Sequence, residues 1–195
     1  MSNQPLCFVL MPFGQKPDAA GKLIDFDAVY AQVIAPAVEK AGLLPIRADK
    51  EDVGGIIHKP MFERLVLCDF AVADLTTGNA NVFYELGVRH AARPFSTVPI
   101  FAGTSRLPFD VEMLRAMPYA LTEQGGPARI EETQAQLAQL LQSARQSQAN
   151  DSPLFQLLQD YPNIQREKTD VFRDRVLIAQ GVKERLAQAR AVGDA

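Results

Sequence analysis

Sulfur and imidazole are scarce in this chain. Its 195 residues include two cysteines, Cys7 and Cys68, and two histidines, His58 and His90. With no Cys/His cluster, a structural zinc site is not expected. Both cysteines sit in apolar strand or helix contexts, which points to buried thiols in a reducing compartment rather than a disulfide. No apolar run approaches the roughly 18 residues that a membrane-spanning helix needs. The run 6–11 is too short, and lacks the basic flank, for a signal peptide. Twenty Lys and Arg against 23 Asp and Glu leave a formal charge of −3, which gives no general electrostatic reason to bind nucleic acid or a membrane surface. A multi-glycine phosphate fingerprint is also missing, as are internal repeats and low-complexity tracts. The expectation is a cytoplasmic protein with no metal, no cofactor, no membrane association and no nucleic-acid partner.

What is present centres on residues 69–87. Phe70 to Ala73 are a short apolar run bounded by Asp69 and Asp74, the pattern of a buried parallel strand. Thr76 to Asn81 supply turn chemistry, and either Asn79 or Asn81 can cap the helix that follows. With Asn81 as the cap, Glu85 falls just past the first turn, where side chains tilt back toward the helix N-terminus. Its carboxylate then aims at the carboxyl edge of the sheet, where open α/β folds bind ligands. The helix dipole favours the ionised form, which a nucleophile or electrostatic stabiliser needs. Asp74, Asn79, Asn81 and Glu85 are thus expected around one pocket.

Elsewhere strands and helices alternate. A first strand, 6–11, ends in Pro12-Phe13-Gly14. Gly14 and the loop to Lys22 read either as a strand-to-helix connection where backbone N–H groups meet an anion or as a simple turn. Residues 25–41 form the clearest helix, with Phe26, Val29, Tyr30, Val33, Ile34, Ala37, Val38 and Ala41 on one face. Asp25 caps its start, Gly42 follows its end, and Pro36 requires a kink or a break. Further strands are expected at 43–48, 97–102 and 119–122. Further helices are expected at 56–68, 110–117 (a short turn), 128–146 and 170–190. Residues 142–151 have linker composition. Alternation of this kind indicates a parallel sheet covered on both faces. The expected fold is α/β and flavodoxin-like, five strands in the order 2-1-3-4-5, over residues 1–149, with a C-terminal helical extension over 150–195.

Several of these segments carry a resemblance. Met11-Pro12-Phe13-Gly14, Arg47-Ala48-Asp49, Ala73-Asp74-Leu75-Thr76 and Asn79-Ala80-Asn81-Val82-Phe83-Tyr84-Glu85-Leu86-Gly87 resemble the superfamily of nucleoside 2-deoxyribosyltransferases, nucleotide N-hydrolases and TIR-like domains. The tail, through Ser152-Pro153-Leu154-Phe155 and Lys168-Thr169-Asp170-Val171-Phe172-Arg173, is similar to bacterial relatives of the N-terminal region of apoptosis signal-regulating kinases, the MAP3K TRAFs-binding domain. The resemblance implies a TIR-like fold and cleavage of an N-glycosidic bond in a nucleoside, nucleotide or NAD-like molecule. It implies Glu85 as nucleophile or cation stabiliser and Asp74 as the residue that protonates or positions the base. It places Met11, Phe13, Gly14, Arg47, Asp49, Asn79, Asn81 and Tyr84 around the substrate. Arg89, one turn after Glu85, has two readings: an ion pair with Glu85 or a contact to a phosphate. The resemblance also implies a homo-oligomer. The alternative it leaves open is a non-catalytic TIR-like signalling or scaffold module, or a nucleotide sensor.

Overall fold

The computed structural model describes residues 4–48, 58–103, 109–112, 114–147, 149–158 and 185. Met1–Ile164 form one compact unit and Gln165–Ala195 a second. Of the second unit only Arg185, helical and exposed, is described, so the final helix expected at 170–190 otherwise lies outside the described residues, as does Asp49.

The first unit is built on strand β1 (Leu6–Leu10), every residue of which is buried. β4 (Leu44–Arg47) pairs parallel on one side of it and β5 (Phe70–Asp74) on the other. β6 (Thr97–Ala102) and β7 (Met117–Tyr119) continue the sheet, again in parallel. The order β4-β1-β5-β6-β7 is 2-1-3-4-5 when the sheet strands alone are counted, so the fold is flavodoxin-like α/β as expected. Full burial of β1 follows from cover on both faces. Cys7, Val9 and Met11 join one core with Val29, Ile34, Val38, Leu137 and Leu141, while the alternate residues Leu6, Phe8 and Leu10 are buried on the other face.

The first helix is one element in three parts: α1 (Phe26–Val29), a π-helical turn Tyr30–Ile34, and α2 (Ala35–Lys40). Asp25 caps it, its carboxylate accepting from the Ala28 N–H at 2.9 Å. Gly42 follows with φ +73°, the left-handed conformation that ends helices. Pro36 has no N–H for the carbonyl of Gln32, four residues earlier. The chain responds with the wider turn, in which the Ala35 N–H reaches Tyr30, and the Gln134 amide supplies the missing donor to Gln32 at 2.6 Å. Gln134 belongs to α6 (Ile130–Ser147), which packs on α2 and the π turn. α3 (His58–Leu67) and α4 (Ala80–Ala92) pack against each other, and α5 (Phe109–Glu112) is a single turn.

Three features differ from the sequence expectation. Where a loop is expected after Gly14, a small antiparallel hairpin pairs β2 (Gln15–Pro17) with β3 (Leu23–Asp25). The Asp18 carboxylate closes its turn by accepting from Ala20 and Lys22. The last strand is Met117–Tyr119 rather than 119–122, because the chain then turns and Leu121 bridges back to Pro127. The linker-like composition of 142–151 conceals helix through Ser147, and α7 (Pro153–Leu157) follows. That segment is tied to the sheet, because Asp151 accepts from the Thr97 N–H at 2.8 Å and Ser152 donates to the His90 carbonyl at 2.7 Å.

The hairpin is clamped from far along the chain by Gly125, whose carbonyl accepts from the Asp25 N–H at 3.0 Å. Gly125 has φ +83°, and a Cβ there would lie 1.8 Å from the Leu23 carbonyl oxygen. Because that obstacle is backbone, Gly125→Ala must part the two segments. A loss of about 3 kcal/mol is expected, read as a lower urea midpoint. A loss under about 1 kcal/mol would show that the hairpin moves away freely.

Candidate functional site

Parallel pairing puts every strand end on one edge. Val9 pairs with Arg47, Leu10 with Ala73, Asp74 with Ile100 and Ala102 with Tyr119. β1 has β4 on one side and β5 on the other, so the crevice of such a fold opens between the exits of β1 and β5. The sequence-predicted residues fall into three groups along the chain.

The first group surrounds the exits of β1 and β4. Met11 and Pro12 are buried, whereas Phe13 is exposed. Gly14, at φ +64°, has nothing among the described residues within 4 Å of where a Cβ would stand, and its N–H donates to Asp27 Oδ1 at 3.3 Å. Arg47 is 4% exposed. Its Nη1 lies 2.9 Å from the same Asp27 oxygen, and its guanidinium sits 4.5 Å from the Tyr30 ring centre and 5.4 Å from that of Phe13. Asp27 is not marked by the sequence. Its approach to Arg47 depends on how the first helix meets the second sheet strand, which local spacing does not specify.

The second group centres on Asp74, which is completely buried. Its Oδ1 accepts from the Thr76 N–H at 3.0 Å and its Oδ2 from the Tyr119 hydroxyl at 2.9 Å. Thr76 Oγ1 lies 3.0 Å from that hydroxyl and accepts from the Ala102 N–H at 2.8 Å. Since Tyr119 donates to Asp74, the Thr76 hydroxyl proton turns to the Tyr119 oxygen. The result is a closed chain of donors from β6 through β7 to β5. Burial pushes the Asp74 carboxyl up to about 6, against the opposing hydrogen bonds from Thr76 and Tyr119, and it raises Tyr119 well above the usual phenol value. A folded-state value above the usual 3.8 means that the native chain binds the extra proton between roughly pH 4 and 6. Asp74 therefore favours the fold in acid and loses that contribution as pH rises through 6. Relative to Asp74→Asn, the wild type is expected to gain about 1.4 kcal/mol between pH 7.5 and pH 5. Urea midpoints of both proteins across that range check this, and a pH-independent difference would contradict it.

The third group lies on the loop after β5 and on α4. Asn79, not Asn81, is the helix cap: its Oδ1 accepts from the N–H groups of Asn81 and Val82 at 3.0 and 3.3 Å. Just before it, Thr77 and Gly78 have φ of 69° and 64°. A β-branched residue in that region stores strain of roughly 1–3 kcal/mol. With the cap two residues earlier than the reading that placed Glu85 near the first turn, Glu85 is the sixth helical residue, beyond the reach of the terminal dipole. The helix dipole therefore does not favour the ionised form of Glu85. Glu85 is half-buried, and desolvation raises its carboxyl to about 6. Among the described residues it accepts no hydrogen bond and pairs with no cation. Asn81 is exposed, and Tyr84, 60% exposed, meets Phe62 edge to face at 6.3 Å.

Arg89 departs furthest from both of its readings. It does not pair with Glu85, and its side chain has no exposed surface to offer a phosphate. It is wholly buried, and its guanidinium donates to the carbonyls of Leu65, Cys68 and Asp69 and to the hydroxyls of Ser96 and Thr97. Its role is to hold α3 against α4. Both thiols are free and buried; desolvation pushes Cys68 up to about 12 and Cys7 further, so neither is a nucleophile.

A separate groove of about 560 Å³ lies along β6, lined by Val98, Pro99, Leu114, Leu140, Ala144 and Leu157 among others. Apart from the ends of β6 and α4, its walls come from the C-terminal half of the first unit, and it contains no residue expected at the site. Among the described residues, no group of three or more His, Cys, Asp or Glu could hold a metal ion, and no helix is long and apolar enough to cross a membrane. No protein-family model matches this chain, and no curated protein matches it either.

Proposed function

We propose that the chain cleaves the N-glycosidic bond of a nucleoside, nucleotide or NAD-like molecule in the crevice between the exits of β1 and β5. The observation that carries this reading is Glu85, a desolvated carboxylate with no partner among the described residues. The other polar groups of that edge, Arg47, Asp74 and Asn79, are each engaged. A half-buried, unpartnered acid costs stability, and such groups concentrate at functional sites. Breaking an N-glycosidic bond creates an oxocarbenium-like centre at the anomeric carbon, which a carboxylate traps as an ester or stabilises electrostatically. Glu85 has the chemistry for either role. Asp74, closed off and bonded at both oxygens, acts as a positioning residue that fixes the loop leading to Asn79 and α4. This agrees with the resemblance of the Tyr84-Glu85-Leu86-Gly87 element to the deoxyribosyltransferase and TIR-like superfamily, and homo-oligomeric assembly belongs to the same reading.

The burial of Asp74 favours one rival, a nucleotide sensor or scaffold without turnover, because an acid sealed from solvent cannot protonate a departing base. One experiment separates the two. The protein is incubated with deoxynucleosides, nucleotides and NAD, and released base is sought by mass spectrometry. Base release establishes the chemistry and names the substrate class. Bound, uncleaved nucleotide recovered from folded protein makes the chain a sensor, and neither result leaves the scaffold.

A further inference from the structure

The contacts of Arg47 point to a feature of the site that is concealed from within. We propose that Gly14 and Arg47 form a phosphate-binding subsite, that the Asp27 carboxylate occupies it in the unliganded chain, and that the phosphate group of a nucleotide displaces Asp27. The proposal rests on the nucleoside-class reading above and narrows it to phosphorylated substrates.

The donor set is built before any ligand arrives. Arg47 is the last residue of β4 and is 4% exposed, with its guanidinium over the rings of Tyr30 and Phe13. The Gly14 N–H and Arg47 Nη1 converge on one oxygen, Asp27 Oδ1, at 3.3 and 2.9 Å. A backbone N–H and a guanidinium meeting on a single anionic oxygen are the donors that a phosphate oxygen takes. The present occupant is the movable member. The Asp27 side chain is 56% exposed, whereas that of Arg47 is 3% exposed. The buried guanidinium cannot stay without an anion, so Asp27 leaves only as another anion takes its place. Among the described residues, nothing lies within 4 Å of the Cβ position at Gly14, which leaves space beside its N–H.

The same geometry selects the ligand. Asp27 is tethered, so its effective concentration at Arg47 is high, in the millimolar range or above. A free carboxylate of equal charge cannot compete with it. A phosphate monoester carries close to two negative charges and three acceptor oxygens, and it can engage the guanidinium fork with two of them.

The test is calorimetric titration of the wild type, Asp27→Asn and the double variant Asp27→Asn/Arg47→Gln with inorganic phosphate, at ionic strength balanced by chloride. Asparagine keeps an acceptor for Gly14 while removing the competing charge. Asp27→Asn is expected to bind phosphate at least tenfold more tightly than wild type, and the double variant to lose that gain. Equal affinity in wild type and Asp27→Asn, or a gain that survives Arg47→Gln, overturns the proposal. Should Asp27→Asn fail to fold, the amide resonance of Gly14 in the wild type decides: a saturable shift with phosphate and not with chloride supports the subsite, and its absence overturns it. Neither readout depends on turnover, so a missing subsite leaves base release from an unphosphorylated nucleoside intact.

Discussion

Arg89→Ala is expected to cost the fold at least about 3 kcal/mol, although the residue touches no candidate ligand. α3 ends at Leu67, and the last carbonyls of any helix lack partners inside it. Here α4 supplies them. Arg89 donates to Leu65 at 2.9 Å and to Cys68 at 2.7 Å, while Arg93 donates to Val66 at 2.7 Å and Leu67 at 2.8 Å. The remaining Arg89 donors reach Asp69, Ser96 and Thr97, so all five of its N–H groups are engaged. Truncation leaves the buried carbonyls of Leu65 and Cys68 without these donors, while that of Asp69 keeps the Ser96 hydroxyl, at roughly 1–3 kcal/mol for each buried group left unsatisfied. Partial collapse recovers some of that sum. Burial lowers the Arg89 pKa to about 10, so the group stays charged at neutral pH and the cost does not vary there. Arg89→Lys keeps the charge but has three donors on a flexible stem, and should lose about 2 kcal/mol. Urea unfolding at constant m-value measures both variants. A loss below about 1 kcal/mol for the alanine would mean that water replaces the guanidinium and that the α3–α4 corner is held by apolar contacts alone.

The same residue shows where sequence reasoning stops. An arginine four positions after a glutamate on a helix suggests an ion pair, yet the partners of Arg89 are main-chain carbonyls, which carry no sequence identity. Tyr119 was missed for a related reason: it reaches Asp74 from 45 positions away, and nothing local marks it. The β2–β3 hairpin was also invisible, because its strands are three residues long with no sustained apolar alternation, and it is fixed by Gly125 about a hundred residues later. By contrast, the sheet order and the boundaries of the first helix were legible. The core strands are apolar runs that only two-sided cover can bury, and Asp25 and Gly42 act on backbone within a few residues of themselves. Of the two asparagines that could cap α4, Asn79 does so, directly after the left-handed Thr77 and Gly78. That turn brings its side chain over the first free N–H groups.

Glu85→Gln should lower kcat for base release by at least ~10³-fold with KM little changed. Glutamine matches the size and hydrogen-bonding reach of the acid but can neither form a glycosyl ester nor neutralise a cation. It therefore removes an interaction made only as the bond breaks. Because Glu85 has no partner among the described residues, the substitution disrupts no network, and the variant should melt within a few degrees of the wild type. The pH profile adds an independent check. Desolvation places the Glu85 carboxyl at about 6. A mechanism that uses the ionised form predicts kcat/KM rising through pH 6 to a plateau, whereas use of the protonated form reverses that limb. An ester on Glu85 in the quenched wild-type enzyme, seen as added sugar mass on the peptide containing residue 85, would distinguish a nucleophile from an electrostatic stabiliser. A drop smaller than tenfold, or a profile flat through pH 6, would remove Glu85 from the chemistry. Its desolvated carboxylate would then only help to hold the substrate, and another group would break the bond.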